Sequence, residues 1–315
     1  MTPAVSIIIP AFGHEGLTRA CVESVLASTA AAEVIVVDDA SPEPIALSDL
    51  AGTSVLRSER NLGFSGACNH GARASSGDVL VFLNNDTRVQ GDWLQEMLDQ
   101  LEPDVGVVGA RLLYEDGTAQ HAGMVFSEAD GAPRHVYRGF PGDHPAVTRC
   151  RDMQAVTGAC LMVRRGDFLP DGFDEAFENG FEDVDLCLRA RSAGRRVAYC
   201  GTTAVTHLES VSVRDDKAAD EERHDRNRSR FTERWGQAVI RDEIATYIAD
   251  GLIEIQADDV YPLRIRISPL LATCVAEDAT GDLADLLTTR SRQVFDLQKH
   301  VGAVRAENLD LRYRR

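Results

Sequence analysis

Short, dense apolar runs punctuate the first third of the chain: Val5-Ser6-Ile7-Ile8-Ile9 stopped by Pro10, Val34-Ile35-Val36-Val37, Val79-Leu80-Val81-Phe82-Leu83 and Val105-Gly106-Val107-Val108-Gly109. Runs this short and this apolar predict strands buried on both faces. Residues 53–56 predict another strand. Between the runs the spacing becomes helical. Residues 15–28 set Leu17, Ala20, Cys21, Ser24, Val25 and Ser28 on one face. Residues 63–72 predict a helix rich in small side chains, and residues 91–101 a third helix. Strands alternating with helices predict an α/β fold, with a Rossmann-like, mainly parallel sheet and helices on both faces.

Farther along the pattern loosens. Residues 128–152 are rich in Gly, Pro, Asp, Arg and His with little periodicity, which predicts an irregular loop of the length that lids have. Residues 157–163 return to an apolar run entered through small residues. Residues 196–199 and 204–207 read as two short strands. Residues 215–235 are highly charged, with Phe231 and Trp235 four apart, and predict a surface helix anchored by those aromatics. From Val294 a heptad register begins, with Val294, Val301 and Asn308 in one series and Leu297, Val304 and Leu311 in the other. The expected organisation is one domain over residues 1–236 and a helical C-terminal extension over 237–315. A coiled coil beginning near residue 290 would give homo-oligomers.

Composition narrows the function. The 315 residues carry a net charge of −17, which excludes the phosphates of nucleic acid as a partner surface. Seven cysteines form no CxxC pair, so buried, reduced thiols fit better than a disulfide or zinc framework. Residues 1–10 lack a basic region and a long apolar core, and no apolar run is long enough to span a bilayer. A cytoplasmic location is therefore expected, with at most peripheral membrane contact.

The candidate chemistry is carboxylate chemistry. In open α/β sheets ligands bind beyond the C-terminal strand ends. Two such ends carry acidic clusters, Asp38-Asp39 and Asn84-Asn85-Asp86. A third cluster, Glu182-Asp183-Val184-Asp185, opens a helix, where exposed N–H groups and the macrodipole favour an ionised carboxylate. Alone, the first two clusters are ordinary Asx turns and the third an ordinary acidic first turn.

The ordered set is more specific than any member. Residues 5–12, Val36-Val37-Asp38-Asp39-Ala40-Ser41, residues 60–71, residues 82–87, 157–163 and 172–177, Phe181 to Arg189, and His207 together resemble family 2 inverting glycosyltransferases of the GT-A fold. The Asn61-Leu62-Gly63-Phe64 stretch and Ala67-Cys68-Asn69-His70-Gly71 resemble the rhamnosyltransferase-like branch. The resemblance implies a nucleoside-diphosphate sugar as donor (UDP- or dTDP-linked, dTDP-rhamnose among them). It implies a glycan or lipid-linked glycan acceptor in bacterial surface polysaccharide synthesis. Asp183 would be the general base. Asp86 and His207 would hold a divalent cation, Mn2+ or Mg2+, with the imidazole tilting the choice toward manganese. Asn84 stands where the family carries a carboxylate, so metal affinity should be low, and Asn85 lies between. Asp38 and Asp39 would face the base or ribose, Pro10, Ala11 and Phe12 would line the base, and Arg60 and Asn61 would meet the base or diphosphate. Gly66 would allow close backbone approach. Gly158 and Ala159 would border the donor sugar, and Glu182 would orient acceptor hydroxyls or cap its helix.

Other readings remain. A sugar-nucleotide nucleotidyltransferase would carry a Gly-rich, basic N-terminal loop, which residues 10–19 are not. A processive synthase would carry membrane spans and Gln-x-x-Arg-Trp, where this chain has Phe231 in place of Gln. A non-catalytic glycan-binding module is the reading that Asn84 keeps open.

Overall fold

The computed structural model describes residues 3–29, 32–208, 217–256 and 264–274. Contacts divide the chain into two compact units, the first running to Arg241 apart from residues 128–130. The boundary expected at 236 thus falls a little earlier than this division.

The first unit begins with β1 (Val5–Ala11), α1 (Glu15–Ser28), β2 (Glu33–Asp38), β3 (Thr53–Arg57), α2 (Gly63–Ala74) and β4 (Val79–Leu83). It continues with β5 (Thr87–Val89), α3 (Trp93–Gln100), β6 (Val105–Leu113), β7 (Ala119–His121), β8 (Met124–Phe126) and β9 (Pro133–His135). Next come α4 (Pro145–Thr148), β10 (Arg151–Met153), β11 (Cys160–Arg164), α5 (Arg165–Phe168), α6 (Glu182–Ser192), β12 (Arg196–His207) and α7 (Lys217–Trp235). The main sheet runs β10-β12-β6-β11-β4-β1-β2-β3, with β5 paired to β12 and β7 to β6.

The apolar runs behave as their composition demands. Every residue of β1 and β4 is buried, and only Glu33 of β2 is not. Ile7, Ile9, Val34, Val36, Val79 and Val81 join Cys21, Val22 and Val25 of α1 in one core. On the opposite face α2 lies so close to the sheet that a Cβ on Gly71 would come within 2.5 Å of the Ile8 side chain. Only glycine lets the helix sit there.

The sheet is mixed rather than mainly parallel. Strands β4, β1, β2 and β3 are parallel, but β11 is antiparallel to both β4 and β6. At the cleft end Cys160 pairs with Leu83, so β11 starts beside the point where β4 stops and runs back along it. Residues 196–207 form one strand, not two. The interruption is a register shift between Cys200 and Ala204 within its pairing to β6. The expected irregular loop over 128–152 instead contains β9, which pairs with the nearby β8, then α4 and the start of β10, which pairs with the distant β12.

The second unit contributes α8 (Glu243–Ala249), an antiparallel hairpin of β13 (Ile253–Gln256) and β14 (Arg264–Ile267), and α9 (Pro269–Cys274). The extension expected to be helical therefore includes two strands, consistent with the alternation Ile253-Glu254-Ile255-Gln256. The heptad from Val294 lies outside the described residues. No described helix is long and apolar enough to cross a membrane.

Candidate active site

Beyond the ends of β1 and β4 opens a cleft of about 620 Å³ lined by Pro10, Ala11, Phe12, Asp39, Asn61, Asn84, Asn85, Asp86, Gly158, Ala159, Glu182, Asp183 and His207. Residues from most of the motifs singled out in the sequence thus meet in one place, while residues 172–177 do not line it. Phe12 is half exposed there, an aromatic face offered to the cleft.

Strand pairing brings the acid and imidazole together. Thr87 of β5 pairs with His207 of β12, so Asp86 sits beside the end of β12, and His207 Nε2 lies 3.0 Å from Asp86 Oδ1. The Asn84 amide nitrogen lies 3.2 Å from the same Nε2. His207 Nδ1 faces Gln120 Oε1 at 2.7 Å, an arrangement in which Nδ1–H donates to the amide oxygen and Nε2 faces Asp86 and the cleft. An imidazole nitrogen beside a carboxylate oxygen supplies two donors of the kind a divalent cation takes, so these residues fit the metal that the resemblance implies. Among the described residues no group of three His, Cys, Asp or Glu side chains converges, so the protein alone would supply a sparse set of ligands.

Asp183 and Glu182 begin α6. The Gly158 N–H donates to Asp183 Oδ2 at 2.8 Å, and the Val184 N–H to Oδ1 at 2.8 Å. Glu182 accepts from the Gly180 N–H. Burial pushes both carboxyls up, and their mutual repulsion adds to the rise of Glu182. The expectation that the helix N-terminus alone would keep Asp183 ionised is therefore incomplete: desolvation opposes it, and the donated N–H groups restore part of the balance.

The approach to α6 is strained. Asn179, Gly180 and Phe181 all have positive φ, at 50°, 141° and 74°. A phenylalanine with φ of 74° persists only where its surroundings overdetermine it. Here α7 does so: Asn227 donates to the carbonyls of Glu178 and Gly180 at 3.0 Å, and the Phe181 ring packs on Phe231. Asp185 is fully buried and bound by Arg189, Arg234 and the Trp235 indole N–H. That removes it from acceptor contact and makes it the anchor between α6 and α7.

Several expected site residues lie elsewhere. Asp38 is buried away from the cleft, accepting from the N–H groups of Ser41 and Ile45 and paired with Arg57. Arg60 is exposed and outside the cleft lining. Gly66 faces Leu62 and Glu175, so its small size serves packing. Asp39 lines the cleft, but its carboxylate already accepts from the N–H groups of Leu62 and Gly63 and so caps α2. Sequence reasoning missed His14, Phe64, Asn179 and Arg223 on the cleft wall, and Gln120 behind His207. It also missed His121, fully buried, whose Nε2 accepts from the Thr157 N–H at 3.3 Å. The one signal for the last two is an adjacent Gln-His pair in a stretch that is otherwise apolar.

Residues 6–168, from β1 into α5, match the model of glycosyl transferase family 2. The chain belongs to that family. It is 37% identical over 231 residues to the O-antigen biosynthesis protein RfbC of Myxococcus xanthus, a match covering 68% of this chain and 18% of the relative. It is 38% identical over 229 residues to an uncharacterized protein of Sinorhizobium fredii, covering 67% of this chain and 25% of the relative. The chain thus spans a quarter or less of the length of these relatives. Among solved structures, a mannosyltransferase from Pyrobaculum calidifontis in complex with GDP-Man and Mn2+ matches 98% of this chain and 88% of its own, with a TM-score of 0.54 at 14% identity. GalNAc-T7 with UDP, GalNAc and Mn2+ matches 67% and 45%, with a TM-score of 0.55 at 19% identity. These likenesses carry the fold, which is GT-A.

Proposed function

We propose that the protein transfers a sugar, with inversion, from a nucleoside-diphosphate sugar to a hydroxyl of a glycan or lipid-linked glycan, in bacterial surface polysaccharide synthesis. Support comes from the O-antigen relative and from the nucleotides and nucleotide sugar bound by the GT-A neighbours. A UDP- or dTDP-sugar, dTDP-rhamnose included, is the donor class we favour. The observation that carries the reading is the presence of Asp183, Asp86 and His207 on the wall of one cleft.

Asp183 takes the proton of the acceptor hydroxyl as that oxygen attacks the anomeric carbon. The bond to the diphosphate breaks on the opposite face, its electron pair leaves with the nucleoside diphosphate, and the configuration inverts. A buried, raised carboxyl is a stronger base once ionised, and the N–H groups of Gly158 and Val184 hold it in the charged, oriented form. Two adjacent buried carboxylates cannot both ionise cheaply, so the pair shares one proton more readily than either would hold it alone. Gly158 leaves room for the donor sugar beside the base. Phe12 offers a face for the nucleobase. Asp86 and His207, with Asn84 beside them, would hold a Mn2+ or Mg2+ ion, which when bound neutralises charge on the leaving diphosphate.

The test is a screen of UDP- and dTDP-sugars with acceptor glycans, with and without Mn2+, reading released nucleoside diphosphate. Release that depends on Mn2+ is the expected result. Pyrophosphate released from a nucleoside triphosphate would instead favour a nucleotidyltransferase. Binding of sugars with no turnover of any donor would favour a non-catalytic module.

A further inference from the structure

Gln120 is buried, yet no cleft-lining role accounts for it. Its position is unusual in the backbone too. In the pairing of β7 with β6, Leu112 faces His121 and Leu113 faces Ala119, so Gln120 is the extra residue of a β-bulge. Bulges re-aim a side chain out of the alternating pattern. Here the side chain reaches the far end of β12: Oε1 accepts from His207 Nδ1 at 2.7 Å, and Nε2 lies 3.4 Å from the His207 carbonyl oxygen. The second contact fixes which end of the amide meets the ring. Gln120 therefore grips both the imidazole and the backbone of one residue, and leaves Nε2 beside Asp86.

We propose that Gln120 is a positioning residue that sets the tautomer and orientation of His207 and thereby the affinity of the cleft for a divalent cation. This rests on the reading that Asp86 and His207 hold that cation. Partners of this kind, on the remote nitrogen of a metal-binding imidazole, typically change metal affinity by about 10–100-fold. The bulge is the device that lets a strand on the far side of β6 supply one.

The experiment titrates MnCl2 into the full chain with uridine diphosphate present, following free Mn2+ by electron paramagnetic resonance. Wild type is compared with His207→Ala, Gln120→Leu and Gln120→Glu. Gln120→Leu removes the acceptor and should weaken Mn2+ binding by about 10-fold or more. Gln120→Glu keeps an acceptor for Nδ1–H and should bind Mn2+ nearly as wild type. Wild-type affinity in Gln120→Leu, with binding lost in His207→Ala, overturns the proposal and spares the metal reading. Equal losses in Gln120→Leu and Gln120→Glu also overturn it, because packing alone would then explain both. No Mn2+ binding by wild type, or none lost in His207→Ala, overturns the metal reading and the proposal with it. A second readout needs no variant to fold: long-range 1H–15N correlation on the wild-type imidazole should place the hydrogen on Nδ1 of His207. An unprotonated Nδ1 is incompatible with the proposal.

Discussion

Where β2 ends, Asp38 and Asp39 stand side by side; where α6 begins, Glu182, Asp183 and Asp185 crowd into a single turn. Each region gives one carboxylate to arginine and turns the rest toward the cleft: Asp39 in the first, Glu182 and Asp183 in the second. Asp38 meets Arg57, and its carboxyl is held below the usual range by hydrogen bonds from Ser41 and Ile45 in spite of burial. Asp185 meets Arg189 and Arg234. The cleft-facing members differ between the regions. Asp39 caps α2 with both oxygens, whereas Asp183 accepts from the N–H groups of Gly158 and Val184 and from the Thr157 hydroxyl, and Glu182 accepts from the Gly180 N–H. Carboxylates of the same type, one or two residues apart, are thus sorted by what the fold brings to them. A cation makes an anchor; a cleft and a few N–H groups make a base.

The sharpest way to break this comparison is to remove the charge from one member at a time. Asp183→Asn should lower turnover by about 10²–10⁴-fold while uridine diphosphate binding survives, measured by nucleoside diphosphate release and by calorimetry. Near-normal turnover would return Asp183 to the anchors. Asp185→Asn should do the reverse. Breaking a fully buried ion pair costs about 3–5 kcal/mol, and the partly exposed guanidiniums of Arg189 and Arg234 set this case near the lower end. The unfolding free energy from urea denaturation should fall by that much, with turnover per folded molecule changed far less than in Asp183→Asn.

The sequence made the members of the site legible but not their sorting. Continuous apolar runs announced β1, β2 and β4, because strands buried on both faces need no polar alternation. The acidic residues at the cleft were equally visible, since each follows an apolar run or opens a helix. What could not be read was which carboxylate meets an arginine. Arg57 reaches Asp38 across a parallel strand pair, and Arg234 reaches Asp185 from a helix far along the chain. Such pairings depend on register, which no local pattern encodes. The same holds for Gln120: a bulge in a three-residue strand has no periodic signature. The positive φ at Phe181 was also invisible, because the fold imposes it against the residue's own preference.

The pH dependence of stability sharpens the contrast between the regions. Burial raises the Glu182 carboxyl from 4.5 to about 8. Between those values the folded protein holds a proton that the unfolded chain has released, so stability falls as pH rises through the window, by up to about 1.4 kcal/mol per pH unit for one proton. Asp38 carries the opposite sign, because its carboxyl is lowered: its contribution is present above the ordinary carboxylate range and is lost as pH falls below it. Glu182→Gln should flatten the loss above pH 4.5 and leave the acid limb unchanged. Urea denaturation at a series of pH values checks this, and an unaltered slope in the variant would mean that Glu182 ionises freely in the folded state.

The smallest expected effect falls on the residue that joins the base to the donor side. A Cβ added to Gly158 would lie 3.3 Å from the Phe64 ring and 3.4 Å from Asp183 Cβ, tight but not prohibitive. Gly158→Ala should therefore cost about 1 kcal/mol of stability, the low end for overpacking. Its kinetic effect should be larger than that stability cost suggests. The added methyl presses on Asp183 from the backbone whose N–H orients it, and a displaced base loses alignment with the acceptor hydroxyl. A fall of about tenfold in turnover, with the Mn2+ affinity of the cleft unchanged, is the expected pattern. Loss of Mn2+ affinity with turnover intact would instead place Gly158 with Asp86 and His207, and the division of the cleft between a base side and a metal side would have to be redrawn.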